Sequence, residues 1–300
     1  MELIDFHNHH IPLRFEQDVL RASPASQRPR WEVLARRLSD EELLLRDIRE
    51  GDINARVVNM SPALMANADG HVPHDTIVAM NDDLAALAAR HPGRIHGLAS
   101  VDAYDGERSA REAERAICDL GLRGLFVDCA RGDLMIDAPQ ARPTLEVAAN
   151  LGVPILVHPV APQPLTRRMT SYGSVGSLFA RGTANSAALI ALVEGEVFSE
   201  LPGLRVVVTS LALGGIAMIA GLSRQSLERV YMDTNICHPV LLRAAIDLLG
   251  AENVLAGTDW PINDGPIRSR LTAAMRAARL SDAEQELVAA GNCRRLLRIS

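Results

Sequence analysis

The sequence predicts a (β/α)8 barrel in which residues 1–300 form a single domain. Three observations carry that expectation. Eight short β-branched runs alternate with amphipathic stretches from one end of the 300-residue chain to the other. Several runs are apolar throughout (Val57-Val58, Ile155-Leu156-Val157, Val206-Val207-Val208), as parallel strands covered on both faces are. Polar residues able to do chemistry stand where the runs end, and barrels build their sites there. A doubly wound open sheet competes, but no Gly-x-Gly-x-x-Gly follows the first run.

The strand runs are residues 2–7, 55–60, 94–101, 122–128, 153–158, 204–209, 230–234 and 253–258. The helical stretches between them carry their own start and stop signals. Ser39-Asp40-Glu41-Glu42 has capping-box spacing and opens a helix to about Glu50. Stretch 74–91 closes on His91-Pro92-Gly93, while 106–120 ends at Gly121 and 138–151 at Gly152. Stretches 184–200, 215–229, 239–249 and 265–279 follow, with a last helix over 282–298. Residues 11–29 and 159–183 read as long loops at the C-terminal face of the barrel, where substrate sites are built.

Composition narrows the function classes. Hydrophobic residues make up 48% and charged residues 23%, ordinary values for a chain that buries a full core. Aromatics are 3%, against both a membrane barrel's aromatic girdle and a stacking surface for single-stranded nucleic acid. A net charge of −6 argues against nucleic acid or an anionic membrane as partner, leaving a small-molecule substrate. The four cysteines (Cys118, Cys129, Cys237, Cys293) are far apart and read as free thiols of a reducing compartment. The first residues lack the charged-then-apolar pattern of a signal peptide, and the most apolar segment, 211–222, is too short to span a bilayer. The expectation is a cytoplasmic protein.

The strongest chemical signal is Asp5-Phe6-His7-Asn8-His9 at the end of the first run. Alternation along a strand sends His7 and His9 to one face, where two imidazoles can chelate a cation, and His10 to the other. His158 closes an apolar run at the barrel mouth and is the next ligand candidate. Asp259, in Gly257-Thr258-Asp259-Trp260-Pro261 after the eighth run, can ligate through one oxygen and take a proton from metal-bound water. Capping the following helix is its bland alternative, a task Asp264 could equally perform. Asp233 ends the seventh run and either faces the mouth or caps a helix. Arg167, Arg168 and Arg131 are candidates to clamp a substrate carboxylate, against a reading of Arg167-Arg168 as a solvated loop pair. His71 and His74 have His-x-x-His spacing but read as ordinary loop residues.

Taken together, these residues resemble the amidohydrolase superfamily, in the branch that holds aminocarboxymuconate-semialdehyde decarboxylase, γ-resorcylate decarboxylase and amidohydrolase-2 hydrolases. The resemblance rests on Asp5, His7, His9 and Pro12, on His158-Pro159, on 201–208 (LPGLRVVV), on Gly214-Gly215, on Gly-Thr-Asp-x-Pro at 257–261 and on Gly291-Asn292. It implies one divalent metal, zinc by expectation with manganese as the other option, held by His7, His9, His158 and Asp259. Relatives often pair as dimers, so a homodimer is expected. The chain departs from the family twice. No lysine stands in the fourth run to bridge two metals, which favours a mononuclear site. Where the branch has a histidine before the Gly-Gly after the sixth run, counting gives Ser210 or Ala212.

Serine can orient a water or substrate but does not take up a proton near neutrality as imidazole does. Asp259 is therefore the expected base, with Ser210 orienting and His238 as a replacement acid, unless His238 only starts the helix at Pro239. The first functional expectation is a metal-dependent hydrolase of a small carboxylate-bearing amide, lactone or related cyclic substrate. The alternative is a non-oxidative decarboxylase of an aromatic or muconate-type acid. A non-catalytic barrel with a binding role is the third reading.

Overall fold

In the computed structural model all eight predicted runs form strands, and their pairing follows chain order. The strands are β1 (Ile4–His9), β2 (Ala55–Asn59), β3 (Ile95–Gly97, resuming after Leu98 as Ala99–Val101), β4 (Leu125–Asp128), β5 (Pro154–His158), β6 (Arg205–Val208), β7 (Val230–Asp233) and β8 (Val254–Leu255). Neighbours pair in parallel, the first half of β3 with β2 and the second with β4. The ring closes between β8 and β1, where Phe6 N donates to Ala256 O, Asp259 N to His7 O and His9 N to Trp260 O, each at 2.8 Å. The structure describes residues 1–23, 28–66, 72–160, 166–222, 225–263 and 265–299; His71 and Asp264 lie outside them. Among the described residues no helix is long and apolar enough to cross a membrane.

Strand alternation divides the core into two layers. Val58, Leu125, Val127, Ile155, Val157, Val206, Val208 and Met232 pack outward against helix residues such as Ala113, Leu145, Ala188 and Leu192. Ile4, Phe6, Val57, Leu98, Phe126, Leu156, Val207, Tyr231 and Leu255 fill the inside, closed off by Cys293, Leu296 and Leu297 of the last helix. Each such burial contributes about 1.5–3 kcal/mol. Carried two residues further, the inward phase delivers Asn59, Asp128, His158, Asp233 and Gly257 to the C-terminal mouth.

β1 departs from that rule, and the site depends on the departure. With Ile4 and Phe6 inside, strict alternation would turn His7 and His9 outward. Asp5 pairs with Arg56 and Asn8 with Val58, so three residues of β1 span two of β2. This one-residue bulge shifts the phase and turns both imidazoles into the mouth. Asp5 stays outward beside Arg56 and accepts from Thr258 Oγ1 at 2.6 Å.

The helices correct the expected loops. Residues 11–29 are not one loop: a short 3-10 turn (Leu13–Phe15) and a helix (Glu16–Ala22) precede a second helix, Arg28–Ser39. The cap of the helix Glu41–Glu50 is Asp40, which accepts from Leu43 N at 2.8 Å, while Ser39 Oγ turns to Glu16. The expected loop 159–183 is shorter too, because a 3-10 turn (Arg167–Tyr172) leads into a long helix, Gly173–Glu194. Glycines at 173, 176 and 182 hid that helix from a propensity reading.

Candidate metal centre

His7, His9 and His158 come together from β1 and β5, each buried, with one ring nitrogen apiece inside a 4.8 Å cluster. Asp259 joins them from the turn after β8, its Oδ1 2.9 Å from His9 Nε2 and 3.7 Å from His7 Nε2. That turn is tight. Asp259 has φ of 65°, and its carbonyl accepts from the amides of Ile262 and Asn263. Gly257 lets β8 approach this closely, since a Cβ there would lie 2.9 Å from Asp233 Cβ and 3.0 Å from His7 Cβ.

Outer hydrogen bonds decide which nitrogens face the centre. A carboxylate only accepts, so His7 Nδ1–H donates to Asp233 Oδ2 at 2.6 Å. His9 Nδ1–H donates to Asn59 Oδ1 at 2.7 Å. Both Nε2 atoms therefore present bare lone pairs, 3.2 Å apart, with a carboxylate oxygen beside them. Such a set repels itself unless a cation lies between its members. A 3.2 Å separation is also the edge made by two ligands about 2.0–2.1 Å from one ion. The donor set fits one divalent metal.

Charge follows the same logic. Burial pushes His9 below the ordinary imidazole range; burial, then the Arg181 guanidinium, push His158 well below it. Burial opposes a charge on His7 as well, but Asp233 and then Asp259 raise it above its usual value. Burial also works against ionised Asp259, yet the neighbouring imidazoles of His9 and His7 hold the carboxyl below its usual range.

The other expected site residues sort differently. Ser210 is buried near the centre, but its Oγ accepts from Ile236 N at 2.8 Å and its amide donates to Asp233 Oδ1 at 2.9 Å, bonds that fix loops. His238 is corrected: it is exposed, and its Nδ1 accepts from Val240 N as the cap of the helix Pro239–Leu249. Arg131 is not a free clamp, since Nη1 donates to Asp102 Oδ2 at 2.6 Å and Nη2 to Tyr104 O at 2.8 Å. Arg167 and Arg168 lie exposed in the 3-10 turn before the long helix.

Two residues at the centre escaped the sequence. Asp128 ends β4 with Oδ1 3.9 Å from His158 Nδ1, its carboxyl pushed up to about 7 by burial and then by the charge of Asp102. Arg181, from the long helix, brings Nη2 to 3.3 Å from His158 Nε2. A polar residue closing an apolar strand was the available signal for Asp128. Arg181 carries none, because its glycine-rich stretch predicts a loop there.

With this geometry in place, comparison with known proteins becomes specific. The amidohydrolase family model matches residues 4–299. The chain belongs to the amidohydrolase family. This amidohydrolase is 25% identical over 301 residues to γ-resorcylate decarboxylase of Polaromonas sp. (strain JS666), covering 90% of this chain and 91% of that one. It is 23% identical over 247 residues to 2-amino-3-carboxymuconate-6-semialdehyde decarboxylase of Dictyostelium discoideum, covering 76% and 68%. The crystal structure of 5-carboxyvanillate decarboxylase LigW from Sphingomonas paucimobilis superposes with a TM-score of 0.85 at 21% identity, covering 100% and 99%. A dihydroxybenzoic acid decarboxylase from Polaromonas sp. JS666, with bound manganese and the inhibitor 2-nitroresorcinol, gives 0.83 at 24% identity, covering 99% and 97%. The likeness to solved structures confirms the barrel fold. These relatives are carboxy-lyases and one holds manganese, so they favour the decarboxylase alternative over the expected hydrolase and leave zinc without specific support.

Proposed function

We propose that this amidohydrolase is a metal-dependent carboxy-lyase that removes CO2 from a small aromatic acid bearing a hydroxyl beside its carboxylate. The observation that carries the reading is the convergence of His7, His9, His158 and Asp259 on one point at the barrel mouth. The names of the relatives supply the choice of carbon–carbon cleavage over hydrolysis. The same four buried groups favour an enzyme over a non-catalytic barrel.

His7, His9, His158 and Asp259 would hold the ion, with Asp233 and Asn59 fixing the rings behind it. The bound cation supplies Lewis acidity for the substrate oxygens. Asp259, ionised in the resting site, takes the proton of the substrate hydroxyl and returns it to the ring carbon. As the carbon–carbon bond breaks, its electron pair stays on that carbon until protonation, and CO2 leaves. Asp259 thus covers the step for which the chain has no strand-six imidazole. Ser210 serves by positioning Asp233 and the loop after β7.

Manganese is the metal this reading favours, with zinc the other ion that a nitrogen and oxygen set accepts. A homodimer belongs to the same proposal, with the exposed Val175, Leu178 and Phe179 of the long helix as the face for a second copy. The test is CO2 release from 2,6-dihydroxybenzoate and 5-carboxyvanillate, with and without chelator. Release that chelation abolishes and Mn2+ restores supports the reading. Acid release from amides or lactones, with no CO2 from either acid, overturns it.

A further inference from the structure

Arg181 stands at the metal centre with no task in the chemistry above. Its Nη2 lies 3.3 Å from His158 Nε2, a neutral acceptor, and among the described residues no carboxylate forms a salt bridge with it. A partly buried guanidinium facing an imidazole keeps most of its donor fork unused. The fold nevertheless fixes where it emerges. Asn185, one turn along the same helix face, donates Nδ2 to Val157 O at 2.9 Å and accepts from Thr209 N at 3.1 Å and Thr209 Oγ1 at 2.9 Å. It pins the helix to the ends of β5 and β6. Gly182 keeps the approach close, since a Cβ there would meet Leu211 O at 2.8 Å.

A guanidinium held beside a metal-binding cluster with most of its donors unused is chemistry for a planar anion, which it grips with two parallel N–H donors. We propose that Arg181 binds the substrate carboxylate and sets the preference of the site for an acid over the corresponding phenol. The inference rests on the carboxy-lyase reading for its substrate class and reassigns the clamp from Arg131, Arg167 and Arg168 to a residue inside the mouth.

The test is calorimetric binding of 2,6-dihydroxybenzoate and of resorcinol to the Mn2+-loaded protein and to its Arg181→Met and Arg181→Lys variants. Bound manganese is measured in each preparation. Expected are tighter binding of the acid than of the phenol by the wild type, and a roughly 10–100-fold loss for the acid alone in Arg181→Met. Arg181→Lys should recover part of it, with manganese content unchanged. Three results would overturn the proposal: Arg181→Met keeps the preference, the wild type has none, or Arg181→Met loses manganese while acid and phenol weaken together. Failure of the carboxy-lyase reading looks different. There the wild type prefers the acid through Arg181 and releases no CO2.

Discussion

Asp233 divides its carboxylate between His7 and the loops around it. Oδ2 accepts from His7 Nδ1 at 2.6 Å, and Oδ1 accepts from the amides of Ser210 at 2.9 Å and Asn235 at 3.0 Å. One buried side chain thus orients an imidazole and ties the end of β6 to the turn after β7. Asp233→Asn is expected to weaken metal binding about 10–100-fold, because the imidazole loses the carboxylate that fixes its tautomer and basicity. Chelator competition followed by metal analysis measures it.

Asp259→Asn removes the proposed proton carrier and one ligand while keeping the shape of the turn. CO2 release is expected to fall by at least about 10²–10⁴-fold. The far-ultraviolet circular dichroism spectrum should match the wild type, since the side chain lies on the site and not in the core. Undiminished turnover in this variant would remove Asp259 from the mechanism.

Asn185→Leu tests the pin that positions Arg181. It leaves Val157 O and Thr209 N buried without their partner, at about 1–3 kcal/mol for each orphaned group. Urea unfolding should show that loss. The KM for an aromatic acid should rise as well, because the helix carrying Arg181 is no longer tied to β5 and β6.

His10 predicts an acid limit on stability. Burial pushes its pKa down to about 4 from an ordinary 6.5, and its Nδ1 finds no hydrogen-bond partner among the described residues. The unfolded chain binds the proton first, so this contribution is complete above about pH 6.5 and is lost as pH falls towards 4. Between pH 7 and 4 the wild type should lose about 3 kcal/mol more than His10→Leu does. Denaturant titrations across that range give the difference.

Much of this protein was legible along the chain. β-branched runs at regular spacing announced eight strands, because a buried parallel strand needs apolar residues on both faces. His158, Asp233 and Asp259 were visible as polar residues ending apolar runs. His7 and His9 were visible as a pair. Tertiary structure decided how that pair is aimed, since one extra residue in β1 turns it inward and no local sequence rule announces the bulge. It also decided Arg181. A glycine-rich stretch became a helix because docking on β5 and β6 stabilises it beyond its propensity, and that docking carries the guanidinium to His158. Composition and periodicity determine which side chains reach the mouth of the barrel. Pairing register and helix docking, which depend on residues distant in sequence, determine which of them meet.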